Sequence, residues 1–103
     1  MKKYRLVLQW TSLLQSDYDA IVDIESRLID SLDEEDEVDG HDTGSGEMNI
    51  FLNTDRPQKL FEEVKRVLAG DQYLEKMRVA YRRLDGEEYT IIWPLGLKAF
   101  SVS

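Results

Sequence analysis

The run Glu47-Met48-Asn49-Ile50-Phe51-Leu52 decides how this chain folds. Met48, Ile50 and Leu52 alternate with Glu47, Asn49 and Phe51. Successive side chains of a strand point to opposite faces, so a period of two predicts a half-buried strand from Glu47 to Asn53 with the first three inward. Thr43-Gly44-Ser45-Gly46, just before it, is turn chemistry. Glu37 to Asp42 then reads as the other strand of a hairpin. By the same alternation Val38 points inward, and Asp39 and His41 point outward, beside Glu47 and Asn49.

Working outward, Tyr4 to Trp10 alternates as a first strand, with Leu6 and Leu8 opposite Arg5, Val7 and Gln9. Between it and the hairpin, Tyr18, Ile21, Ile24, Leu28 and Leu32 recur at steps of three and four, which predicts a helix over Ser16 to Leu32. Ser16 is its candidate cap, and Asp17 and Asp19 suit the positive end of its dipole. The run Asp33-Glu34-Glu35-Asp36-Glu37 would sit at the negative end, so it is expected in a solvated loop. On the other side, Thr54-Asp55-Arg56-Pro57 opens a second helix with Asp55 as candidate cap. Leu60, Phe61, Val64, Val67 and Leu68 form its stripe, and Gly70 stops it. Met77 to Leu84 alternates again, Asp85-Gly86 is a turn, and Tyr89 to Trp93 returns as a strand before Pro94. Residues 95–103 read as an irregular tail.

The order is strand, helix, strand, strand, helix, strand, with a final strand added. Over residues 4–84 it resembles the α+β ferredoxin-like (βαββαβ) plait, as found in small bacterial domains, immunity proteins among them. The resemblance implies two helices on one face of an antiparallel sheet, joined by right-handed crossovers. RNA-recognition domains share this topology, but their aromatic-rich strand signature is missing: the corresponding strand here reads Glu47-Met48-Asn49-Ile50-Phe51.

At 103 residues the chain fits one domain, residues 1–103. With 42% apolar residues it can bury a modest core, which argues against wholesale disorder. The absence of cysteine removes disulfides, thiolate metal sites and cysteine nucleophiles, and favours a cytoplasmic setting. The apolar residues after Lys2 and Lys3 are too few, and too interrupted by Arg5 and Gln9, for a signal peptide. No window reaches membrane-spanning length, so no membrane partner is expected. The net charge of −8 is uneven: residues 1–55 hold 4 basic and 14 acidic residues, and residues 56–103 hold 9 and 7. Such a chain repels phosphate backbones and attracts basic protein surfaces; solubility is the plainer use of the same charge.

Chemistry is densest at Asp39-Gly40-His41-Asp42-Thr43-Gly44-Ser45-Gly46-Glu47-Met48-Asn49, which holds the only histidine. On an uncovered sheet face His41 would approach Glu47 or Asn49, with Arg5 and Gln9 at the border and Arg78 or Arg82 beyond. Three uses stay open. Glu47 can set up His41 as a general acid or base; Asp39, His41 and Glu47 can hold a divalent ion; or the segment is a polar hairpin. One histidine among scattered acids is unlike the closely spaced pairs of metal sites, so no metal or cofactor is called for. The Gly44-Ser45-Gly46 turn leads into a strand rather than a helix, which argues against phosphate binding. No nucleophile elbow, Walker loop or dinucleotide fingerprint occurs. The reading is therefore a non-catalytic interaction domain for a protein partner, using the acidic run or the open sheet face. A small enzyme or ligand-binding domain around His41, Glu47 and Asn49 is the alternative. Self-association through the sheet is a third expectation.

Overall fold

The computed structural model describes residues 2–44 and 46–102. The chain is α+β, with helices and one five-stranded antiparallel sheet. The elements run β1 (Tyr4–Trp10), α1 (Gln15–Ser31), β2 (Glu37–Gly44), β3 (Glu47–Thr54), α2 (Pro57–Val67), α3 (Gln72–Lys76), β4 (Arg78–Arg83) and β5 (Thr90–Trp93). The strands lie in the order β2-β3-β1-β4-β5, so β1 is central and β2 and β5 are the edges.

The alternation in 47–52 is observed. Met48, Ile50 and Leu52 are fully buried with Leu6, Leu8, Trp10 and Val79 in the main core. Ile21, Ile24 and Leu28 of α1 and Leu60, Phe61 and Val64 of α2 close it from the other side. Removing such a side chain from a packed core costs about 2–5 kcal/mol, so these residues set the fold's stability.

Three local expectations change. Helix α1 begins one residue early with Leu14 at its cap, and Ser16 lies inside. Asp17 does the capping: its carboxylate accepts from the Leu14 N–H at 2.7 Å. Helix α2 is capped by Arg56, not Asp55. The Asp55 carboxylate instead accepts from the Lys3 N–H at 2.9 Å, and the Thr54 hydroxyl accepts from the Arg56 N–H at 3.0 Å. A third helix follows Gly70, with the Asp71 side chain accepting from Tyr73 N–H at 2.9 Å. This one-and-a-half-turn element is too short to show a periodic stripe. It is stitched to its surroundings: Trp10 Nε1 donates to the Tyr73 carbonyl at 2.9 Å, and the Tyr73 hydroxyl donates to Asp17 at 2.6 Å.

The largest departure is in β2. Val38 pairs with Leu52 but His41 pairs with Ile50, so three steps along β2 match two along β3. This is a β-bulge, and Gly40 carries it with φ of +105°, a conformation that side chains resist. The extra residue inverts the alternation beyond it.

Candidate functional site

The bulge separates the residues that alternation alone would have gathered. Asp39, before the inversion, keeps the face away from the helices, where Arg5 Nη2 donates to its carboxylate at 2.5 Å. His41, after it, turns to the helix side, and its Nδ1 lies 3.0 Å from the Glu25 carboxylate on α1. Glu47 and Asn49 stay on the opposite face. His41 therefore does not meet Glu47 or Asn49, and the three do not converge on one reacting atom. Among the described residues no cluster of three or more potential metal ligands occurs, and Asp39, His41 and Glu47 do not form one. Ser45 lies outside the described residues, so the Gly44-Ser45-Gly46 turn is described only at its glycines.

The face away from the helices is a lattice of polar rows with an apolar row between. In one row the Gln9 amide nitrogen donates to Asn49 Oδ1 at 3.0 Å, and Asn49 Nδ2 donates to Glu47 at 3.0 Å. In another, Arg5 Nε donates to Asn53 Oδ1 at 3.1 Å, and Asn53 Nδ2 donates to Glu37 at 3.2 Å. The Arg5 guanidinium also stands over the Phe51 ring, 5.1 Å from its centroid. Arg82 is used elsewhere: its Nη1 donates to the carbonyls of Arg83, Leu84 and Gly86, holding the β4–β5 turn.

This face is not bare, contrary to the expectation from element order. Gln9 and Asn49 are each 1% exposed, and Val7 and Ala80 between the polar rows are fully buried. The C-terminal tail contributes to that cover. Gln9 Nε2 donates its second hydrogen to the Ser101 carbonyl at 2.8 Å, and the Phe100 ring packs on Tyr89 at 5.0 Å.

The segment from the end of α1 through β3 is acidic. From Leu28 to Asp55 there is no lysine or arginine, and ten acids. Fold and charge combine where α1 ends beside β2. A groove of about 350 Å³ has Leu28, Ile29, Leu32 and Val38 as apolar lining and Asp33, Glu34 and Asp36 at its border. Ile29 is 59% exposed there, and Val22 is exposed one heptad earlier on α1. Asp30, Glu34 and Asp42 enter no ion pair among the described residues.

Asp36 is the residue that reading the sequence missed. Placed in the solvated run, it is instead buried: Thr54 Oγ1 donates to it at 2.5 Å, and Arg56 Nη2 donates to it at 2.9 Å. Arg56 also faces Glu35 at 3.6 Å and Glu63 at 3.7 Å. These carboxylates, Asp36 first, raise the guanidinium's pKa above its ordinary value. The clasp pins the end of the acidic loop and so fixes the groove's border. The signal was one of position: a hydroxyl and a guanidinium two residues apart, just before Pro57.

A further hollow of about 490 Å³ lies at the opposite edge among Tyr4, Tyr81, Arg82, Arg83, Glu87, Glu88 and Thr90. Its two arginines are already engaged, Arg82 by the turn carbonyls and Arg83 by Asp85 at 3.0 Å. No helix of the described residues is long and apolar enough to cross a membrane. Compared with models of known families, with curated proteins and with solved structures, the chain matches none.

Proposed function

We propose that this is a protein-interaction domain that engages a basic partner through the side formed by the end of α1, the loop before β2, and β2 itself. The observation that carries this reading is the groove: its lining is apolar, its border is acidic, and no cation of the chain lies within the segment from 28 to 55. An apolar side chain supplies contact area in such a groove, and a surrounding positive surface supplies steering. An inhibitor or immunity role is one concrete form of it. The β2 edge is itself guarded against pairing with further strands by Glu37, Asp39, Asp42 and the bulge, so unspecific sheet growth is opposed. We also read the strand order, with β5 added beside β4, as an extended ferredoxin-like plait; the interleaving of β1 between β3 and β4 supports it.

The test is kinetic. A partner captured at low salt should associate about tenfold more slowly when ionic strength is raised from roughly 20 to 200 mM. The triple variant Asp30→Asn, Asp33→Asn, Glu34→Gln should associate slowly at both. Association rates that respond neither to salt nor to the variant would remove the acidic side from the mechanism.

A further inference from the structure

We propose that the sheet face beneath the C-terminal tail is a binding groove for an extended peptide, and that residues 97–102 are its exchangeable occupant. The inference concerns a different surface from the acidic groove and does not rest on it. The ligand class is an extended segment in which an aromatic residue is followed directly by the residue whose carbonyl meets Gln9, as in Phe100-Ser101.

Three observations build the groove. Its floor is the apolar row of Phe51, Val7, Ala80 and Ile91, adjacent across four strands. Val7 and Ala80 are fully buried, yet neither belongs to the core cluster between sheet and helices. Their cover comes from the face where the tail lies. Second, Gln9 is a built receptor for main chain. Its amide nitrogen has two hydrogens; Asn49 Oδ1 takes one and orients the group, and the other meets the Ser101 carbonyl. Recognition at a backbone carbonyl accepts any residue at that position. Third, Tyr89 offers its ring to Phe100 at 5.0 Å and 57°, which places the aromatic requirement beside the carbonyl requirement.

The occupant, by contrast, is held by little. Residues 97–102 form no helix or strand, and Leu95 leading into them is 89% exposed. Among the described residues the segment's backbone hydrogen bond is local, Leu97 N–H to the Pro94 carbonyl at 3.2 Å, so no ladder ties it to the sheet. It competes by tethering: a short linker keeps a segment at millimolar effective concentration without strong contacts. A ligand in trans with the same chemistry and more contacts displaces it.

The experiment uses the full chain and a labelled synthetic peptide of residues 97–103, Leu-Lys-Ala-Phe-Ser-Val-Ser. Phe100→Ala loosens the protein's own tail while leaving the receptor intact. Freeing the groove should tighten peptide binding over wild type, and a gain of about tenfold would correspond to a tail that leaves the groove open about a tenth of the time. Adding Gln9→Ala to that variant should abolish the gain. On the wild-type protein, millimolar peptide should shift the backbone resonances of the protein's own Phe100 and Ser101 saturably toward free-chain values, a measurement independent of how any variant folds. A folded Phe100→Ala protein that binds the peptide no better than wild type would overturn the proposal. So would the absence of a saturable shift in the wild-type titration.

Discussion

At the residue scale, a few buried polar side chains do what the apolar core cannot: they fix loops in place. Asp36 is the clearest case, because a buried carboxylate is tolerated only when its oxygens are matched. Thr54→Val keeps the shape and removes one donor, leaving Asp36 Oδ1 without its 2.5 Å partner. The expected cost is about 1–3 kcal/mol, read as a lower urea midpoint with an unchanged slope. An unchanged midpoint would mean that water replaces the hydroxyl. Asp17 makes a second, pH-dependent case. The Tyr73 hydroxyl, and after it the Leu14 N–H, hold its carboxyl below the ordinary value of 3.8. A depressed pKa stabilises the fold above the ordinary value, and that contribution vanishes as pH falls through the lower folded value. The stability gap between wild type and Tyr73→Phe should therefore be full at neutral pH and shrink as the pH is taken below the ordinary value of 3.8. A gap independent of pH would assign the loss to packing alone. Neither role was legible from composition: Asp36 stood among five acids, and Tyr73 lies 56 positions from Asp17, a distance that only the fold closes.

At the element scale, the strands were legible wherever the period of two ran unbroken, as in 4–10, 47–53 and 78–83. Both main helices were legible from their stripes. What counting missed was a single insertion. Gly40 adds one residue to β2, and every side chain after it changes face, which moves His41 from the polar lattice to Glu25. An isolated glycine within a strand pattern is the available cue, and it was present. The prediction follows from backbone conformation rather than space, because a Cβ at Gly40 meets nothing within 4 Å. Gly40→Ala should cost about 1–3 kcal/mol through its positive φ alone. In a domain of this size that is a fall in Tm of at least ~4 °C. A variant that melts with wild type would show that β2 does not need this bulge. The tail gave no pattern at all, since its position depends on Gln9 and Tyr89, 92 and 11 positions away from their partners Ser101 and Phe100.

At the scale of the whole molecule, charge and connectivity divide the chain in the same way. Its first 55 residues bring most of the acid and the β2–β3 edge; the remainder brings β4, β5 and most of the cations. The halves are joined through β1, which pairs with β3 on one side and β4 on the other. That central place has a consequence during synthesis. Of the five strands of this sheet, the first to be made receives its second neighbour only after residue 83 has been made. Until then a nascent chain carries Tyr4–Trp10 with an unsatisfied flank, and pairings this distant in sequence close slowly. Translation that halts between β3 and β4 would release fragments primed to stick to one another, whereas the finished chain hides that strand between two neighbours.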